Sequence, residues 1–89
     1  MLDQEFEVWI YNRINRMNLD DREGFLRLMK KGHTKKAKAI IEAFLPIWRR
    51  DATEDIGSKA KVSNIVETVG EIYRAILVHF RAEIATIKE

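Results

Sequence analysis

The chain has 89 residues, 46% of them hydrophobic and 34% charged, and its sixteen Lys or Arg nearly balance fourteen Asp or Glu for a net charge of +2. That composition excludes a disordered chain and allows one core only, because two would each be too small to stand. With no cysteine, disulfides and thiolate metal sites are excluded as well, and the chain suits a reducing compartment.

The opening stretch, "MLDQEFEVWIYNR", carries acidic charge where a secretory signal needs basic charge. It reads instead as an amphipathic helix from Asp3, its N-cap, to about Met17, with Glu5 and Glu7 suiting the positive end of the dipole. Leu2, Phe6, Trp9, Ile10, Ile14 and Met17 recur at three and four and paint one face. Val8 and Tyr11 fall off that face, so they meet another part of the chain or a partner.

"NLDDREGF" restarts the chain, with Asp20 as cap and Glu23 three residues on in the form of a capping box. Phe25, Leu26, Leu28 and Met29 follow as core candidates. Gly32, after Lys30 and Lys31, stands where a left-handed residue ends a helix. Thr34 is expected to cap a third helix with Ala37, Ile40, Ile41, Phe44 and Trp48 on its apolar side. Pro46, the only proline, has no N–H and collides with the preceding turn, so this helix is expected to kink or break there. Asp51, Glu54 and Gly57 offer signals for a further short turn of helix.

The last element, beginning between Ser58 and Ser63, reads as one long helix to the C-terminus. Its apolar side holds Ile65, Val66, Val69, Ile72, Tyr73, Ile76, Leu77, Phe80, Ile84 and Ile87, which is wider than a coiled-coil seam. Gly70 interrupts it, as it would where another backbone comes close. No apolar run approaches the roughly 20 residues a bilayer span requires.

These signals predict an all-α fold: a single domain over residues 1–89, a small antiparallel bundle of about four helices with a long amphipathic C-terminal helix. One short chain leaves part of so wide a face bare. A second copy covering it, as a twofold homodimer, is therefore expected, with Val8, Tyr11, Val69, Tyr73, Leu77, Phe80 and Ile84 as the candidate protein interface.

The residues of catalysis are poorly represented. His33 and His79 have no cysteine to pair with, and His79 with Glu83 at i and i+4 reads as a surface pair rather than a metal site. Asp20-Asp21 and Glu54-Asp55 sit where helix starts favour acids. The four glycines are scattered and form no phosphate loop. The expectation is no catalytic residue, no metal and no cofactor.

One stretch breaks a local rule. "KKGHTKKAK", Lys30 to Lys38, gathers five lysines about one turn. Helix-end dipoles account for Lys30 and Lys31, but Lys35 and Lys36 stand at a helix start, where cations are disfavoured. The segment has the outline of a helix-turn-helix, yet Leu28 occupies the position for a small residue and Lys38 one that should be aliphatic. Lys30, Lys31, Lys35, Lys36 and Lys38, extended by Arg49 and Arg50, form a candidate surface for nucleic acid or for an acidic protein. The function expected is that of a small non-enzymatic regulatory or adaptor protein in the cytoplasm. It would act by protein binding as a homodimer, without membrane contact, and its size suits a phage or mobile-element regulator of a host machine. Nucleic-acid binding through Lys30–Lys38 is the alternative.

Overall fold

Asp3 starts the first helix by accepting the amides of Glu5 at 2.8 Å and Phe6 at 3.4 Å, satisfying two of the donors a helix start leaves open. The computed structural model describes residues 2–88, and every regular element among them is helical. Helix α1 spans Gln4–Asn15. Helix α2, Leu19–Lys30, is capped by Asn18, which accepts from the Asp20 amide at 2.9 Å. The expected Asp20 capping box is therefore placed two residues too late: Asp20 lies inside the helix, as a first-turn acid.

Gly32 ends α2 with φ +75°, which leaves the His33 amide on the Leu28 carbonyl (2.9 Å) and the Gly32 amide on that of Met29 (3.1 Å). Helix α3 then runs without a break over Thr34–Ile56, through Pro46, until Gly57 turns the chain at φ +62°. Thr34 is the first helical residue rather than the cap; its hydroxyl lies 3.3 Å from that of Tyr73. The break allowed for at Pro46 does not occur, because Ala37, Ile41, Leu45, Trp48 and Ala52 are all buried at helical spacing and hold both halves to one core.

A 3₁₀ turn, Gly57–Ala60, leads to α4, Ile65–His79, whose N-cap Asn64 accepts from the Glu67 amide at 3.0 Å. The long C-terminal helix is two helices. Phe80, at φ −98° and ψ 17°, separates α4 from α5, Arg81–Thr86. No glycine or proline marks this bend; burial of Phe80, Ile84 and Ile87 against the rest of the chain requires it.

Contacts fix the directions. Trp9 meets Asp55 and Arg13 meets Asp51, so α1 and α3 are antiparallel. Leu2 meets Glu71 and Tyr11 stacks on His79, so α1 and α4 run side by side in the same sense, which a simple up-and-down bundle does not allow. The cause is the shortness of α2, which serves as a corner between α1 and α3. One apolar cluster joins all five helices, with Phe6, Ile10, Ile14, Leu26, Ile41, Leu45, Ile72 and Ile76 fully enclosed. The radius of gyration, 12.6 Å, matches the roughly 12 Å of a compact chain of this length.

Candidate functional site

Most of the wide face of the C-terminal segment is covered within the chain, while Ile65 and Val66 at its start stay exposed. Val69, Tyr73, Phe80 and Ile84, expected at an interface, are buried in the core, and Leu77 packs partly against it. They present no surface to a partner in this conformation, because α1, α2 and α3 together supply their cover. Tyr11 is engaged as well. Its ring stacks on His79, with centroids 3.8 Å apart and planes 4° apart, and its hydroxyl donates to Glu7. Burial and that carboxylate together hold the Tyr11 phenol above its ordinary range. His79 and Glu83 go separate ways, His79 to Tyr11 and Glu83 to Arg22 at 3.2 Å. Gly70 meets no other backbone; a Cβ there would touch only the Arg74 guanidinium at 3.8 Å.

The lysine cluster divides. Lys30 donates to the carbonyls of Ile87 at 2.6 Å and Ala85 at 3.2 Å, and Arg27 to that of Lys88 at 3.3 Å. These cations close the C-terminal end of α5, where the carbonyls carry the negative end of the dipole. Lys38 lies 5.5 Å over the Tyr73 ring. Lys31, Lys35 and Lys36 remain exposed. At about 100° per residue, Arg50 falls between Lys35 and Lys36 in angle on α3, while Arg49 turns further round and is half-buried.

The surface of Val8 belongs to a feature the sequence reading missed: a seam between α1 and α3. At one end, a hollow of about 450 Å³ is lined by Val8, Trp9 and Ile56 with polar neighbours Gln4, Glu5 and Asn12. At the other, one of about 440 Å³ is floored by Met17, Phe44 and Trp48, with Ile47 on one wall and Arg13 and Arg16 opposite. A narrower stretch containing Trp9, Asn12, Arg13, Arg16 and Asp55 joins them. Phe44 and Trp48 stack at 5.5 Å, and Phe44 and Ile47 are 36% and 43% exposed, although both are large apolar groups on a well-formed helix.

Polar contacts make the seam rigid. Trp9 Nε1 donates to Asp55 at 2.6 Å, the Arg13 guanidinium lies 5.0 Å over the Trp9 ring and pairs with Asp51, and Lys59 meets Glu5 at 2.5 Å. Sequence spacing placed Phe44 in the core because it shares a helical side with Ile41 and Trp48. The unbroken helix gives that place to Leu45 and turns Phe44 to the rim.

Among the described residues no group of three or more His, Cys, Asp or Glu side chains could hold a metal ion, and no helix is long and apolar enough to cross a membrane. Comparison with protein-family models, with curated proteins and with solved structures finds no match to this chain.

Proposed function

We propose that this chain is a small, non-enzymatic protein-binding module of the regulatory or adaptor kind, and that the α1–α3 seam is its binding surface. The observation that carries the reading is the pairing of two apolar hollows with a stiffened polar waist. Met, Trp, Phe and Arg line them, the residue types that concentrate at the centres of protein interfaces. Phe44 and Ile47 would gain burial on binding, and the ion pairs beside them keep the walls in place, so little ordering would oppose association.

Self-association is a separate question of the same surface. Val69, Tyr73, Phe80 and Ile84 are buried within the chain, so we place a homodimer on the seam rather than on those residues. Photo-crosslinking from a benzophenone side chain placed at position 47, with position 78 on the exposed flank of α4 as control, tests the reading in cells that make the protein. Discrete adducts from 47 and none from 78 are expected. Adducts from 78 alone, or from neither, would remove the seam from consideration.

Nucleic-acid binding is the second reading, favoured by Lys35 and Lys36 standing exposed at the start of α3 with Lys31 beside them. It rests on fewer side chains than the five lysines suggest, since Lys30 and Lys38 face inward contacts. Binding to labelled duplex and single strands across a salt series decides it: phosphate contacts give a slope near 0.9 per contact on duplex DNA, about three for Lys31, Lys35 and Lys36.

A further inference from the structure

We infer that α5 is a strap with a second position: by rotation at Phe80 it straightens onto α4 as one helix over residues 65–86 and leaves the side of α2 on which it now lies. This conformational switch is independent of the seam, whose walls belong to α1 and α3.

The bent form is locally incomplete. Phe80 heads α5 with a side chain that caps nothing, and its backbone, at φ −98° and ψ 17°, lies in the sparsely populated bridge between the α and β regions. The Phe80 amide reaches the Ile76 carbonyl at 2.9 Å, and the Ile84 amide reaches that of Phe80 at 2.8 Å. Between them α4 closes at His79 and α5 opens at Arg81, so the rungs from Arg81 to Leu77 and from Glu83 to His79 are not made. Residues 77–84, "LVHFRAEI", contain neither glycine nor proline. A change of about 60° in the ψ of Phe80 brings it to the helical value and lets the ladder run through.

Docking is what holds the bend. Helix α5 packs against α2 and α4, with Ile84 and Ile87 as its apolar anchors, 9% and 6% exposed. Its polar anchors are three cations of α2: Lys30 on the Ala85 and Ile87 carbonyls, Arg27 on that of Lys88, and Arg22 at 3.2 Å from Glu83. That last pair lacks the alignment of a hydrogen bond, so Arg22 Nε and Glu83 Oε2 are removed from water and left unsatisfied. Missing rungs thus draw α5 toward the straight form while its contacts with α2 draw it back. A packed element under such opposed terms has two discrete positions rather than a continuum of them. Opening joins the 15 residues of α4 and the 6 of α5 through Phe80, and turns toward solvent an apolar stripe that the closed chain hides.

The chain has no cysteine, so spin labels on introduced cysteine pairs report the switch directly. Lys31→Cys with Ala85→Cys spans α2 to the strap, and Val66→Cys with Ala85→Cys spans the two helices; all three positions are exposed. Pulsed dipolar spectroscopy is applied to each pair in the full chain, diluted with unlabelled protein, in the parent, in Lys30→Ala, and in Lys30→Ala combined with Ile87→Asp. The parent should give the short 31–85 distance of the closed form. Lys30→Ala should move part of the population to a longer 31–85 distance, and the double variant most of it. In both, the 66–85 distance should gather near about 28 Å, the length of nineteen helical residues, with helicity by circular dichroism held or raised.

A 66–85 distribution that broadens as helicity falls would mean that α5 unwinds instead of straightening. Distances unchanged in both variants would mean that the bend is fixed at Phe80 itself. Either result overturns the inference. Should the double variant not fold, Lys30→Ala alone, which removes no core side chain, decides between the same outcomes.

Discussion

Tyr11 shows how a side chain off the main apolar face becomes structural. Its ring lies flat on His79 and edge-on to Phe80, and its hydroxyl donates to Glu7. The fold holds this phenol protonated above its ordinary 10.0, chiefly through burial and then through Glu7. A group that binds its proton more tightly folded than unfolded contributes fully below the unfolded value and loses that contribution above it. Stability should therefore fall as pH rises past about 10, and Tyr11→Phe should flatten that fall; alkaline denaturation of both proteins checks it. Gly70 lies inside α4, and a Cβ there would make only an ordinary contact with the Arg74 guanidinium, so Gly70→Ala should stabilise by about 1 kcal/mol, a rise of several degrees in Tm. At this scale the sequence was legible wherever a residue's own chemistry decides: the Asp3 cap and the left-handed Gly32 follow from a carboxylate and a missing Cβ. Asn18 displaced Asp20 as a cap, and Leu45 displaced Phe44 in the core, because neighbours in space chose between candidates that adjacent positions supply equally well.

Among elements, α3 departs furthest from its local signals. Pro46 removes one backbone donor in mid-helix, yet four buried residues from Ile41 to Ala52 keep both halves aligned on α1, α2 and α4. Because Pro46 is exposed, Pro46→Ala should restore the missing hydrogen bond without disturbing the core. The gain should be about 2 kcal/mol, the helical cost of proline less the stiffening it gives the unfolded chain, read by chemical denaturation. The bend at Phe80 is the converse case. Its residues are ordinary helix formers, so nothing local announces it, and it arises from docking Ile84 and Ile87 while α2 closes the end of α5. Lys30→Ala should accordingly loosen that end by about 1 kcal/mol, visible as faster amide exchange over residues 81–87 with α1 and α3 little changed.

For the whole molecule, the all-helical architecture could be read from periodicity, whereas how one chain covers a wide apolar face could not, because cover depends on how helices are arranged and periodicity records only what each helix carries. The seam was illegible for the same reason: its walls come from residues 4–17 and 44–56, brought together by an antiparallel pairing that no short window contains. Since all helices share one core, Ile41→Ala, at its centre and fully buried, should cost about 2–5 kcal/mol and shift fluorescence and circular dichroism transitions together. The passage of α3 through Pro46 bears on how the seam behaves. Glu42's carbonyl has no helical donor to meet it, one turn before Ile47 and beside Phe44. A rod with one rung missing flexes there more readily than elsewhere, so any give is confined to the Phe44 end of the seam, beyond the Asp51 and Asp55 contacts that fix the rest.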